Sequence, residues 1–280
     1  MTQPLPLLTI AGSDSGGAAG LQADLKTWAT FGSRVYGMSA ITAVTAQNSV
    51  AVEGVHFLPA SFVAAQIDAV LSDYGAAAIK TGFLGRVDII ETVAERLAHW
   101  LHAAPSGLGK PDRSIPVIID PVLVNHRGEP MFGPEVVEAY RELLFPLADL
   151  VTPNAAEAAI LWKTTDDGPR ARDKAMSAPA RAGDLSSAVL IKGHRRGAQN
   201  IDAYWDGRDW TELPQPRIDT TNTHGSGDTL SAAICVYRAM GHDWLEAIRR
   251  AQIYTHAAIR RGAGWRLGAG HGPLGHWNAE

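Results

Sequence analysis

The stretch that decides the fold lies near the start of the chain and reads Leu7-Leu8-Thr9-Ile10-Ala11-Gly12-Ser13-Asp14-Ser15-Gly16-Gly17-Ala18-Ala19-Gly20. Its first four residues are an apolar run typical of a buried strand, and the glycines after them predict a turn. From residue 21 to residue 31, apolar side chains recur three and four positions apart, which predicts a helix. The chain therefore opens as a strand, a turn and a helix.

The same alternation continues along the chain. Apolar runs that predict buried strands lie at 7–10, 76–80, 117–120, 150–152 and 189–192. Stretches of helical period lie at 21–31, 61–71, 88–101, 135–145 and 155–162. Strands joined by helices of this length predict right-handed crossovers and a mostly parallel sheet covered on both faces. We predict an α/β fold with one domain over residues 1–280 and with ligands at the carboxyl ends of the strands.

Three segments depart from this alternation. Residues 104–114 and 164–183 are polar and predict surface insertions. Residues 202–213 place aromatic side chains on either side of an Asp-Gly-Arg turn, which predicts a β-hairpin.

The composition excludes several classes of protein. With 46% hydrophobic residues, a chain of 280 residues can bury a full core. The formal net charge is -4 and no basic stripe occurs, so neither nucleic acid nor a membrane surface is an expected partner. Cys235 is the single cysteine, which suits a reducing compartment, and no apolar run reaches the roughly 20 residues that span a bilayer. We predict a cytoplasmic protein that binds a small molecule.

A second informative stretch lies late in the chain and reads Asn222-Thr223-His224-Gly225-Ser226-Gly227-Asp228. The residues after it have strong helical character, so a helix begins at 225–227. Small residues at a helix start leave backbone N–H groups free to point at an anion, and the helix dipole favours negative charge there. Asp228 is open to two interpretations: a helix cap, which is the commoner role, or a base beside a transferring phosphate.

Neither of the common phosphate motifs accounts for such an anion site. The chain has no Gly-x-x-x-x-Gly-Lys-Ser/Thr string, and the glycines at 12–20 do not fit the Gly-x-Gly-x-x-Gly spacing. Phosphate binding must be arranged in another way.

An ordered set of blocks resembles the hydroxymethylpyrimidine kinase/phosphomethylpyrimidine kinase family. The blocks lie at 11–27, 41–48, 80–84, 120–122, 152–158, 191–194 and 222–233, and the resemblance extends from about residue 7 to residue 273. It implies a ribokinase-like three-layer α/β/α fold, ATP as phosphoryl donor, Mg²⁺, an aminopyrimidine or pyridoxal-like acceptor, and a homodimer. The implied reaction is phosphorylation of the hydroxymethyl group of 4-amino-5-hydroxymethyl-2-methylpyrimidine, and then of its monophosphate, in thiamine biosynthesis. Two alternatives stay open: a pyridoxal kinase of vitamin B6 salvage and a non-catalytic pyrimidine-binding protein.

The resemblance also implies roles for individual residues. Asp228 is the expected catalytic base, and the expected anion hole comprises Gly225, Ser226 and Gly227. The expected acceptor pocket comprises Gly12, Asp24, Gln47, Phe83 and Val122. The expected nucleotide ligands are Asn154, Lys192 and Thr223, with Glu157 holding Mg²⁺ through water. By the residues alone, Asn154 and Glu157 also fit a helix capping box, and Asp24 and Gln47 also fit solvated positions.

The chain departs from the family pattern at three places. The family usually carries Cys where this chain has Asp228, whereas sugar kinases and many pyridoxal kinases carry Asp. The segment Lys192-Gly193-His194 lacks one glycine of the family's block, and Phe83 stands where Met is common. A larger aromatic at position 83 would stack on a planar ring or narrow the pocket.

Overall fold

The computed structural model describes residues 3–102, 115–125, 127–163 and 187–277. Within them, nine strands form one sheet. The strands are β1 (Leu5–Ser13), β2 (Val35–Gln47), β3 (Val52–Phe57), β4 (Ala78–Thr81), β5 (Val117–Ile119), β6 (Leu150–Val151), β7 (Ala188–Arg196), β8 (Gln199–Trp205) and β9 (Trp210–Pro216). Their order in the sheet is β3-β2-β1-β4-β5-β6-β7-β8-β9.

In the same described ranges, seven α-helices connect the strands or follow them. They are α1 (Gly20–Ala29), α2 (Ala60–Asp73), α3 (Val87–His102), α4 (Pro134–Ala139), α5 (Ala155–Leu161), α6 (Ser226–Ala239) and α7 (Trp244–Gly262). Short 3₁₀ turns occupy Gly32–Arg34 and Phe145–Leu147, and a π turn occupies Tyr140–Leu144.

The centre of the sheet is parallel and its edges are antiparallel. Strand β1 pairs in parallel with β2 and β4, and the parallel pairing continues through β5, β6 and β7. Strand β3 runs antiparallel to β2, and the β7-β8-β9 segment is antiparallel. The prediction of a mostly parallel α/β sheet is therefore confirmed.

Helices cover both faces of the sheet. Successive strand residues point to opposite sides, so Leu8 joins one core with α2, α3 and α4, while Leu7 joins the other with α1, α6 and α7. Neither leucine is exposed to solvent. The result is three layers, helices, sheet and helices, as predicted.

Several elements differ from the sequence prediction, which included none of β2, β3 and α7. Strand β2 spans 13 residues but was not among the predicted strands, because its many Gly, Ala, Ser and Thr residues weaken its hydropathy. The helix predicted at 135–145 leaves α geometry after Ala139 and passes through a π turn. The chain then enters the 3₁₀ turn Phe145–Leu147, and Pro146 within that turn has no N–H to donate to the preceding helix.

The remaining predictions on organisation have separate outcomes. The hairpin predicted at 202–213 is confirmed as β8 and β9, whose strands are longer than predicted. The predicted insertions at 104–114 and 164–183 lie outside the described residues. Among the residues that are described, no helix combines the length and the hydropathy needed to cross a bilayer.

The segment after α7 is fastened to the start of α6 by a buried histidine. His276 is 2% exposed, and its Nε2 lies 2.9 Å from the hydroxyl of Thr229, the residue after Asp228. Burial lowers the pKa of His276 to about 4, and the cations of Lys26 and Arg261 add to the effect. The folded protein thus holds this imidazole neutral.

We expect this histidine to make stability depend on pH. Between about 6.5 and about 4 the unfolded chain binds a proton that folded His276 does not. The free energy of unfolding should therefore fall with decreasing pH across that range, by on the order of 3 kcal/mol. Urea denaturation of the wild type and of His276→Gln at several pH values measures this, with His56→Gln on the exposed β3 as the control. Equal pH slopes in wild type and His276→Gln would contradict the assignment.

Candidate active site

One large cavity of about 1010 Å³ opens at the carboxyl ends of the parallel strands. The turn after β1, the end of β2, the segments after β4, β5 and β6, the middle of β7 and the start of α6 contribute to its wall. Most residues predicted for the site line it: Gly12, Gln47, Phe83, Val122, Asn154, Glu157, Lys192, Thr223, Gly225, Ser226, Gly227 and Asp228. Asp24 is the exception.

The start of α6 connects the two halves of the cavity. Gly225 has φ of 80°, and a Cβ added there would overlap the carbonyl oxygen of Ala18 in the turn after β1. At Gly227, a Cβ would lie 3.1 Å from the ammonium nitrogen of Lys192 on β7. The helix therefore begins, as predicted, at 225–227. The N–H of Ser226 already donates to the carbonyl oxygen of Thr223 at 3.1 Å, so other N–H groups of the first turn would have to meet an anion.

Asp228 lies in the first turn of α6, and its side chain is 14% exposed. Its Oδ1 is 3.3 Å from the ammonium nitrogen of Lys80, which is fully buried on β4. The same ammonium lies 2.8 Å from Oδ1 and 2.9 Å from Oδ2 of Asp24 on α1. Asp24, Lys80 and Asp228 therefore form a line of charges from the core to the cavity.

The structure corrects the placement of Asp24. Its side chain is 0% exposed, accepts a hydrogen bond of 2.6 Å from the Thr9 hydroxyl, and does not line the cavity. Burial raises the pKa of Asp24, and the Lys80 ammonium 2.8 Å away opposes that rise by stabilising the carboxylate. Burial also lowers the pKa of Lys80, but the carboxylates of Asp24 and Asp228 outweigh it and raise that pKa. Asp24 is thus the counter-ion of Lys80, neither an acceptor ligand nor a solvated residue.

One part of the cavity wall is built around Gln47 at the end of β2. Its amide nitrogen Nε2 lies 2.9 Å from Nε2 of His224, and its Oε1 is 3.4 Å from the Thr45 hydroxyl. Phe83 packs against Phe57 with ring centroids 5.9 Å apart and nearly parallel planes. An amide that donates and accepts beside a flat aromatic wall suits a heteroaromatic ring with polar edges.

The turn after β1 is organised by Asp14. Its carboxylate accepts backbone N–H bonds of 2.8 to 2.9 Å from Gly16, Ala18 and Ala19, and it lies 3.8 Å from His224. The glycine-rich turn is therefore held closed by a carboxylate that the sequence interpretation did not single out. An Asp two residues before a Gly-Gly pair is the local signal that could have shown it.

In another part of the cavity wall, Asn154 and Glu157 form a capping box at the start of α5. The Asn154 side chain accepts from the N–H groups of Ala156 and Glu157, while the Glu157 carboxylate accepts from the N–H of Asn154 and, at 3.3 Å, from that of Leu123. Burial raises the pKa of Glu157 to about 7; the ammonium of Lys192 opposes this rise and the carboxylate of Asp120 adds to it. The capping role is thus present, and both side chains also face the cavity.

Lys192 is paired with a residue that the sequence interpretation missed. Its Nζ lies 2.7 Å from Oδ1 of Asp120, whose Oδ2 accepts a hydrogen bond from Ser231 on α6. The prediction that a strand ends at Lys192 is wrong, because β7 continues to Arg196 along β8. The register with β8 shifts between Ile191 and His194, and this irregularity contains Lys192.

The acidic residues at the cavity suit Mg²⁺ bound mainly through water and phosphate. In the described ranges, no three His, Cys, Asp or Glu side chains are grouped as a metal cage. Glu157 and Asp120 both line the cavity, and both already accept hydrogen bonds from protein groups. Mg²⁺ typically keeps several waters and takes one or two carboxylates with substrate phosphates, so these residues fit it.

The sequence and the known proteins agree on the family of this chain. A family model described as phosphomethylpyrimidine kinase matches residues 14–275. The chain belongs to the phosphomethylpyrimidine kinase family. The chain is 42% identical to a hydroxymethylpyrimidine/phosphomethylpyrimidine kinase of Rhizobium meliloti, over 97% of this chain and 96% of that protein. It is also 41% identical to a thiamine biosynthesis bifunctional protein of Geobacter sulfurreducens, over 96% of this chain and 52% of that protein.

Solved structures place this family member among vitamin kinases by fold. The chain superposes on a Bacillus subtilis pyridoxal kinase, solved as an ADP complex, with a TM-score of 0.84 and 34% identity over 98% of both chains. The ribokinase-like prediction and the prediction of a kinase are confirmed, so the interpretation as a non-catalytic binder is set aside.

Proposed function

We propose that this kinase transfers the γ-phosphoryl group of ATP to the hydroxymethyl oxygen of 4-amino-5-hydroxymethyl-2-methylpyrimidine, and then phosphorylates the resulting monophosphate, in thiamine biosynthesis. One observation carries the proposal: Asp228, at the anion-binding start of α6, lines the same cavity as Gln47 and Lys192. A base between an aromatic acceptor pocket and a cationic nucleotide end is what this reaction needs.

In the proposed reaction, Asp228 takes the hydroxyl proton while the acceptor oxygen attacks the γ-phosphorus and the bond to the β-phosphate oxygen breaks, releasing ADP. The turn at Gly225, Ser226 and Gly227 surrounds the moving phosphoryl group, with Thr223 beside it. The Ser226 N–H donates to the Thr223 carbonyl, so the N–H groups of the two glycines are the donors to that group. Lys192 offsets phosphate charge, and the carboxylates of Asp120 and Glu157 keep its pKa raised against the effect of burial. Mg²⁺, held by Glu157 through water with Asn154 nearby, would supply further neutralisation of the phosphates when bound.

The acceptor assignment is tested first by the choice of substrate. A coupled kinase assay should compare the pyrimidine alcohol, its monophosphate and pyridoxal under identical ATP and Mg²⁺ concentrations. We expect the highest kcat/KM with the pyrimidine alcohol and measurable turnover of its monophosphate. Turnover of pyridoxal alone would overturn the assignment.

Pyridoxal phosphorylation is the second candidate, since the fold superposes closely on a pyridoxal kinase and Asp at position 228 departs from the Cys usual among pyrimidine kinases. Pyridoxal presents the same kind of primary alcohol on a six-membered heteroaromatic ring. The single domain over 1–280, the homodimer and the cytoplasmic location stay predictions.

Gln47→Ala should weaken acceptor binding and leave ATP binding unchanged. Removing the amide deletes hydrogen bonds to the ring edge and leaves a polar group of the acceptor unpaired, so KM for the acceptor should rise by about 10- to 100-fold. Steady-state kinetics with each substrate varied in turn measures this, and Gln199→Ala, at an exposed position of β8 outside the cavity wall, is the control. An unaltered acceptor KM would contradict the pocket assignment.

A further inference from the structure

The buried Lys80 and Asp24 have a geometry that packing alone does not explain. Both side chains are 0% exposed, and both Asp24 oxygens lie within 2.9 Å of the Lys80 ammonium. A buried ion pair costs desolvation, and an apolar pair of similar volume is often no less stable. The pair therefore calls for a role beyond stability.

The arrangement points that role at Asp228. The Lys80 ammonium reaches Asp228 Oδ1 at 3.3 Å, and Gly82 leaves the space beside both groups open. A Cβ at Gly82 would lie 3.3 Å from the ammonium and 3.8 Å from that oxygen. With Oδ1 turned to Lys80, Oδ2 is the oxygen left for the cavity. Thr9 anchors the other end of the line through its 2.6 Å bond to Asp24.

We propose that Lys80 and Asp24 act together as a positioning and charge-balancing pair for Asp228. Lys80 holds one oxygen of the base, so the other meets the acceptor hydroxyl. Asp24 neutralises Lys80, so proton uptake by Asp228 leaves no unpaired cation in the core. The cluster passes from one net negative charge to none when the acceptor proton arrives, and returns when the proton leaves for solvent. This inference rests on the proposed role of Asp228 as base.

Other ionisable groups face this cluster. Lys192 on β7 and Asp120 after β5 lie on its nucleotide side as a paired cation and anion, with Glu157 on α5 beyond them. The buried thiol of Cys235 on α6 lies near Asp24 and Lys80, and burial raises its pKa. None of these groups is replaced in the variants below. A difference in the pH profile between variants therefore reports the effect of Lys80 and Asp24 on Asp228.

The test compares the acid limb of the pH profile of kcat/KM for the acceptor in three proteins. In Asp24→Asn, Lys80 acts on Asp228 without its counter-ion, so the limb should move to lower pH by about 1 to 3 units and the plateau rate should fall about 10-fold, because a more strongly held carboxylate is a weaker base. In Asp24→Asn/Lys80→Met the cation is also gone, so the limb should lie above that of the wild type. The double variant avoids the unpaired buried carboxylate that Lys80→Met alone would leave.

Asp68→Asn is the matched control. Asp68 pairs with Arg96 and Trp100 on α3, away from the cavity, and its replacement should leave the limb in place. If Lys80 and Asp24 serve folding alone, the variants should melt at lower temperatures, and the acid limb of the pH profile should be the same in all of them. If the wild type is active and both variants show the same acid limb as the wild type, the inference is overturned.

A second readout does not need turnover. In protein labelled with ¹³C at aspartate, the Asp228 carboxyl resonance is identified by its loss in Asp228→Asn, and its titration is followed directly. The midpoint should fall in Asp24→Asn and rise in the double variant. If the wild type phosphorylates none of the three acceptors, the proposed function fails, and this titration still supports or refutes the pairing by itself.

Discussion

Asp228→Asn should lower kcat by about 100- to 10,000-fold while leaving acceptor affinity within a factor of about two. The amide has the shape of the carboxylate and keeps an oxygen for Lys80, which lies 3.3 Å from Oδ1, but it cannot accept the acceptor proton. An interaction used only in the transition state lowers kcat without changing substrate binding. Initial-rate kinetics and calorimetric titration of the acceptor measure the two effects separately.

Asp228→Cys is the matched variant, because the family usually carries Cys at this position. A thiol can act as the base, so this variant should recover a measurable part of the rate that Asp228→Asn loses. Parallel losses of acceptor binding and of rate in Asp228→Asn would contradict a base role and indicate a pocket residue.

Gly225→Ala should cost at least about 100-fold in kcat/KM for ATP. The residue has φ of 80°, which strains any other side chain, and the new methyl group would overlap the carbonyl oxygen of Ala18. Relief of that overlap must move the start of α6 away from the turn after β1. The N–H groups that we propose as donors to the phosphoryl group would move with it, as would the carboxylate of Asp228.

Gly32→Ala separates backbone strain from loss of the site. Gly32 also has positive φ, 61°, but an added Cβ there meets no heavy atom within 4 Å, and it does not line the cavity. Both variants should lose about 1 to 2 kcal/mol of stability from the left-handed backbone, measured by urea denaturation. Only Gly225→Ala should lose activity. Comparable activity in the two variants would show that the α6 start tolerates displacement.

The acceptor and nucleotide residues were predictable to different degrees. Gln47 and Lys192 lie in blocks that resemble the family, and both line the cavity. Asp24 lies in such a block too, yet it is buried against Lys80. A block gives the order of residues along the chain, whereas the direction in which α1 turns a side chain depends on its packing against the sheet.

Lys80 is a residue of the site that the sequence analysis could have identified. It ends an apolar run that was predicted as a buried strand, and a lysine buried on such a strand requires a carboxylate partner. The partners, Asp24 and Asp228, lie 56 and 148 positions away. The periodicity of apolar residues relates positions only a few residues apart. It therefore cannot identify which acidic residues of the chain pair with Lys80.

The sequence by itself determined the alternation of strands and helices, the glycine-rich turn after β1 and the start of α6 at 225–227, because these follow from the chemistry of neighbouring residues. Only the tertiary structure decided that the turn after β1 meets α6 at Gly225, that Asp120 pairs with Lys192, and that Asp24 pairs with Lys80. Each of these contacts joins segments far apart in the chain. Their partners are selected by how the layers pack and by the cost of leaving a buried charge unpaired.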